Sequence, residues 1–179
     1  MKFDKSKKLL VIGRAGMDIY PEPPGTKISD VQEFSTHLGG SAANTCVALS
    51  KLGVSSDLVT CISDDAIGEY IFKKLEDFNV GSNLCRRVDK KFQTQVAVVE
   101  TILKNNQSIL YRNNSCDLQL DKEDIDKINF QDYSAVFISG TALSSSPSRE
   151  AVFYASEKAS TLSIPLIMDM DYRPYNWES

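Results

Sequence analysis

Residues 37–53 read HLGGSAANTCVALSKLG, and this stretch decides how the chain is organised. From Ser41 onward Ala43, Cys46, Val47, Leu49, Ser50 and Leu52 recur at helical spacing, and Gly53 stops the run. Ser41 alone would serve as the N-cap. Two adjacent glycines and an asparagine in the first turn therefore need another reason. Gly39 and Gly40 leave the backbone bare, and a helix start offers free N–H groups. Asn44 adds a donor and an acceptor suited to a hydroxyl group. Taken with Asp18 upstream, the pattern predicts a site for a polyol or sugar. A tight helix–strand packing turn is the competing explanation for the glycines.

Working outward, KLLVIG (8–13), SDLVTCIS (56–63), YSAVFISG (133–140) and IPLIMDMD (164–171) are short apolar runs that read as buried parallel strands. Helical patterns lie between them, at AIGEYIFKKLEDFNV (66–80), LDKEDIDKI (120–128) and SPSREAVFYASEKAST (146–161). Strands alternating with helices predict an α/β fold with a parallel sheet. Two parts break the alternation. MDIYPEPPGTKI (17–28) reads as a proline-rich loop with extended flanks, and VQEFSTHLG (31–39) as a half-exposed strand. FQTQVAVVET (92–101) and QSILYRN (107–113) read as a hairpin. These predict a small antiparallel sheet attached to the main layer.

The 179 residues suffice for one domain with a real core, and the net charge of −4 leaves no electrostatic footprint for nucleic acid. No apolar run reaches the roughly 18 residues of a membrane span. The basic start MKFDKSKKLLVIG lacks the apolar length and cleavage site of a signal peptide, so a cytoplasmic location is expected. Cys46, Cys61, Cys85 and Cys116 form no CxxC pair and are expected to be reduced, buried thiols. No metal site is expected. His37, the single histidine, has no partner suggested by spacing, which favours a local structural role.

In open parallel sheets ligands bind outside the carboxyl ends of the strands. Polar residues gather at such ends here: Arg14 and Asp18, Ser63-Asp64-Asp65, Gly140-Thr141, and Asp169, Asp171 and Arg173. Asp64 or Asp65 is expected to cap the following helix. Asp171 and Arg173 could form a local salt bridge, and Asp18 could tie down the proline-rich loop. VIGRAG lacks GxGxxG, and GxxxxGK[ST] is absent from these residues, so neither a dinucleotide fingerprint nor a P-loop is read here.

GGSAANTCVALSKLG resembles the N-terminal signature of the PfkB (ribokinase-like) carbohydrate kinases. IGRAGMDIYP is similar to that family's first strand with its sugar-binding aspartate, and CISDDAIGEYIFKKLEDFNV to its Asp-Asp segment and following helix. Cys46 and Ser63 depart from the residues usual there. YRNNSCDLQL and MDMDYRPYNW resemble the members acting on 5-dehydro-2-deoxygluconate.

The resemblance implies a ribokinase-like parallel sheet layered with helices, carrying a small β lid from about 17–38 and 92–113 with the usual boundary error of about 2–4 residues. It implies ATP, with Mg2+, as cofactor, and phosphorylation of a primary hydroxyl on a sugar acid. It gives Asp18, Gly39, Gly40 and Asn44 the sugar hydroxyls. Arg112 and Arg173 suit a carboxylate, which guanidinium groups grip bidentately, with Asp171 orienting Arg173. Kinases of 2-keto-3-deoxygluconate, fructose or ribose are the alternatives, as is a fragment that only binds sugar. The catalytic aspartate of the family's G-A-G-D motif is expected beyond Ser179, with most of the ATP site, so the isolated chain is expected to be inactive. A homo-oligomer joined through the lid is expected.

Overall fold

The computed structural model describes Asp4 and residues 6–172. Strands β1 (Lys8–Ile12), β2 (Gly16–Glu22) and β3 (Glu33–Gly39) precede helix α1 (Ser41–Lys51). β4 (Ser56–Ser63), α2 (Ala66–Asp77), β5 (Cys85–Val88), β6 (Val96–Val99) and β7 (Ser108–Tyr111) follow. After α3 (Lys122–Asp126) come β8 (Tyr133–Ser139), α4 (Ser148–Thr161) and β9 (Leu166–Asp169).

Five strands form one parallel sheet in the order β5-β4-β1-β8-β9. The chain leaves the central β1 toward β4 and β5, then returns to build β8 and β9 on its other side. The strand order thus reverses between β1 and β8, which opens a crevice at their carboxyl ends. Alternate residues of the strands feed two cores. Val11, Leu58 and Ile62 pack under α1 and α2 with Ala43, Cys46 and Ile71. Leu10, Ile12, Val59 and Val136 pack on the opposite face with Ile125 of α3 and Val152 of α4. Leu10, Ile12, Leu58 and Ile62 are fully buried, each stabilising by about 1.5–3 kcal/mol. Cys46, Cys61 and Cys116 are buried free thiols, and burial pushes Cys46 up to about 11.

A second sheet of four strands, in the order β3-β2-β6-β7, stands at the carboxyl end of the first; it is mixed rather than antiparallel as expected, since β2 and β6 run parallel. Its β2 corrects the reading of residues 17–28 as a loop: Gly16 to Glu22 pairs along its whole length with Gly39 to Glu33. Pro21 is tolerated because pairing with β6 stops at Ile19↔Val98, so no ladder bond is lost on that side. β5 was not legible, because Arg86 and Arg87 interrupt its apolar pattern. Arg86 is fixed by Asp124 at 2.7 Å and Asp121 at 3.0 Å.

The start of α1 differs from expectation. Gly40, not Ser41, is the N-cap residue; it has φ 93° and makes no side-chain cap bond. Ser41 is the first helical residue, and its hydroxyl lies 2.8 Å from that of Ser139.

Candidate functional site

The crevice is walled by the end of β1, the start of α1, the ends of β8 and β9, and one face of the second sheet. β2 carries Asp18 into it, half-buried. Diagonally across on β3, opposite Gly16, lies Gly39, where any Cβ would overlap the Asp18 carboxylate. Gly40 brings its own backbone against that of Arg14, whose carbonyl oxygen would sit 2.5 Å from an added Cβ. The bare backbone at both glycines is therefore already used within the protein: one makes room for a carboxylate, the other docks the helix onto β1. Asn44 lies in the first turn with its side chain exposed.

Burial raises the pKa of Asp18, opposed by Arg14, Tyr20 and His37. Arg14 is itself buried; its Nη1 donates to Gln95 Oε1 at 2.6 Å, and its Nη2 lies 3.9 Å from Asp171 Oδ2. Gly16 is bare where Gln95 passes, since a Cβ there would lie 2.6 Å from the Gln95 amide nitrogen. Asp171 has φ 36°, and its N–H donates to Asp169 Oδ1 at 3.1 Å. That turn aims its carboxylate inward, where Ser139 Oγ donates to it at 3.3 Å. Ser139 also meets the hydroxyls of Ser41 and Thr141, at 2.8 and 3.0 Å. Arg112, just past β7, donates from Nη2 to Asp117 Oδ2 at 2.6 Å and to the Thr141 carbonyl at 3.2 Å.

Asp18, Gly39, Gly40 and Asn44 thus gather around the start of α1. Asp171 joins them through Ser139, and Arg112 through Thr141. Arg173 lies outside the described residues. Asp64 and Asp65 belong elsewhere: Asp65 caps α2 by accepting from Gly68 N–H at 2.9 Å, as expected, and Asp64 pairs with Arg87 at 3.5 Å. Sequence reasoning missed Gln95, Ser139 and Asp117. A polar residue held in an apolar run was the available signal for the first two.

The arrangement offers a half-buried carboxylate acceptor, backbone and hydroxyl groups, and two guanidinium groups already engaged with carboxylates. It can hold a polyhydroxylated small molecule. Among the described residues no group of three or more His, Cys, Asp or Glu is placed to hold a metal ion, and no helix is long and apolar enough to cross a membrane.

Comparison with known proteins agrees with this architecture. The chain is 35% identical over 176 residues to a 5-dehydro-2-deoxygluconokinase of Photobacterium profundum, covering 98% of this chain and 53% of the relative. A protein of the same name from Clostridium perfringens (strain 13 / Type A) is 34% identical, covering 100% and 54%. The chain spans about half the length of these curated relatives. Among solved structures, an uncharacterized sugar kinase of Pyrococcus horikoshii superposes with a TM-score of 0.81 at 26% identity, covering 96% of this chain and 57% of that one. A Xylella fastidiosa fructokinase with bound ATP shares the fold, with a TM-score of 0.84 at 22% identity over 97% of this chain and 52% of its own. The pfkB family of carbohydrate kinases matches residues 6–179, and the chain belongs to that family.

Proposed function

We propose that the whole protein is an ATP-dependent sugar-acid kinase acting on 5-dehydro-2-deoxygluconate, and that this chain supplies its sugar site. The observation that carries the reading is the Asp18 carboxylate, held half-buried over the start of α1 by the clearance that Gly39 leaves. The names of the 34–35% identical relatives support the substrate.

Phosphoryl transfer depends on positioning and charge neutralisation. Asp18 accepts hydrogen bonds from sugar hydroxyls, and Asn44 and the α1 start fix the rest of the chain. Arg112, whose charge Asp117 balances, contributes directed hydrogen bonds at the acid end, and Arg173 contributes the charge. When bound, ATP with Mg2+ would supply the phosphoryl group and the neutralisation of its charge. Among the described residues no group of three or more His, Cys, Asp or Glu is placed to hold a metal ion. The base and anion hole are assigned to the family's G-A-G-D motif, beyond Ser179.

Arg173→Met in the full-length polypeptide tests the reading. A charged hydrogen bond to a carboxylate is worth roughly 1.5–3 kcal/mol. kcat/KM for the acid is expected to fall about tenfold to a hundredfold, with a neutral sugar little affected. Equal loss on both would assign Arg173 to loop structure and favour a fructose- or ribose-type substrate.

The second sheet is the proposed lid, and its outer face supports self-association. Thr36, Ile19, Val98 and Ile109 form one row across its four strands, on the face away from Asp18. Beside that row Phe34 and Tyr111 are 47% and 59% exposed. An apolar face of this kind calls for a partner, and a second copy offers the same face. Sedimentation is expected to show a dimer that Ile109→Lys converts to monomer. A monomer at every concentration would refute the lid interface.

A further inference from the structure

We propose that Ser139 is a positioning residue of the sugar site: it commits the proton of the Ser41 hydroxyl inside the protein, so that Ser41 turns only lone pairs to the crevice and accepts from a hydroxyl of the ligand. The proposal rests on the reading of this crevice as the sugar site.

Ser139 ends β8, beside the point where the strand order reverses, and is fully buried. Its Oγ meets three oxygens: Ser41 Oγ at 2.8 Å, Thr141 Oγ1 at 3.0 Å and Asp171 Oδ2 at 3.3 Å. A serine hydroxyl has one proton to donate and two lone pairs to accept with, whereas an ionised carboxylate only accepts. The Ser139 proton therefore goes to Asp171. Arg14 Nη2, 3.9 Å from the same Oδ2, is itself only a donor. With its proton spent, Ser139 can only accept from its other two neighbours. Ser41 and Thr141 each donate to it, and the Ser139 hydroxyl is saturated.

The two donors differ in what they can reach. Thr141 is fully buried, so its hydrogen bonding ends inside the protein. Ser41 is half-buried as the first residue of α1, on the wall of the crevice. Its proton points to Ser139, which leaves its lone pairs for a bound molecule. Asp18, at the same end of the crevice, is an acceptor as well. This end of the site therefore takes groups that donate, and hydroxyls do so. A carboxylate or keto oxygen has no proton for Ser41 and would meet its lone pairs instead. The polyol end of a sugar acid thus lies at the start of α1, with its acid end toward Arg112.

Neutron diffraction on the perdeuterated full-length polypeptide reads the protons directly. Deuterium is expected on Ser139 toward Asp171 and on Ser41 toward Ser139. A Ser41 deuterium directed elsewhere would overturn the proposal. Calorimetric titration with gluconate and its monodeoxyfluoro derivatives reads the consequence, since fluorine cannot donate. Fluorine at the position lodged against Ser41 should weaken binding to the parent about tenfold. In Ser139→Ala the Ser41 hydroxyl can turn its proton to the fluorine, and that loss should shrink to about threefold or less. Thr141→Val also removes one buried hydroxyl from the cluster but leaves the Ser41 proton committed, so it should keep the parent's loss. Both variants should melt about 2–12 °C lower. Equal changes in the fluorine effect in both variants, or none in either, would overturn the positioning role. If the deuterium positions are as stated but the parent binds neither gluconate nor any derivative, the proton order stands and the sugar-site reading fails.

Discussion

Asp117→Ala is expected to destabilise the protein by about 3–5 kcal/mol, the usual effect of removing one partner from a buried ion pair. The Arg112 and Asp117 side chains are only 7% and 3% exposed. Without Asp117 the guanidinium keeps the Thr141 carbonyl as its acceptor but loses its balancing carboxylate, while its Nε is already buried without a partner among the described residues. Ser115 loses its acceptor as well. At about 2–4 °C per kcal/mol for a chain of this size, the melting temperature should drop by about 6–20 °C. The control is Arg112→Met combined with Asp117→Leu. Replacing both charges by apolar groups of similar volume is often close to neutral, so the double variant should recover most of the loss. Equal loss in single and double variants would show that packing, not charge balance, holds this corner. The corner matters because Arg112 roots β7 of the second sheet onto the carboxyl end of β8.

The parts of the fold that were legible are those where one signal dominates. Residues 56–63 form a strand over the predicted span, since every residue there is buried and the run is continuous. α1 begins at Ser41 and the hairpin closes as β6 against β7, both set by local period. The failures have local causes too. β2 was hidden by Pro21, whose missing N–H is harmless only because β6 stops short, a fact of tertiary pairing. β5 was hidden by arginines, of which Arg86 pairs with residues more than thirty positions away.

The site divides in the same manner. Asp18, Gly39, Gly40 and Asn44 are close in sequence or carried by a recognisable helix start. The Arg14–Gln95 contact joins residues 81 positions apart, and Ser41 meets Ser139 across 98. No spacing rule reaches that far. Asp171 reaches the crevice only because its backbone takes a positive φ, which its sequence neighbourhood did not announce.

Gly39 and Gly40, adjacent in the chain, should respond to the same substitution in opposite ways. Gly40→Ala should cost about 3 kcal/mol or more, combining an unfavourable backbone conformation with a clash. Gly40 has φ 93°, and an added Cβ would meet the Arg14 carbonyl oxygen at 2.5 Å and Ala15 Cα at 2.9 Å. Both obstacles are backbone, so relief requires moving α1 away from β1. Gly39→Ala should act differently. The three atoms nearest its methyl all belong to the Asp18 carboxyl group, the movable end of a side chain. Stability should fall by about 1 kcal/mol, but Asp18 must swing out of place and sugar affinity should fall about tenfold or more, as for a lost charged hydrogen bond. Denaturant unfolding and calorimetric sugar titration on both variants separate the two roles. Asp18→Ala provides the cross-check: in that background Gly39→Ala should be nearly silent for stability, because the clash has been removed. Should Gly39→Ala remain as costly without Asp18 as with it, the glycine would be serving the backbone rather than the carboxylate. The proposed sugar pocket would then owe its shape to a packing turn alone.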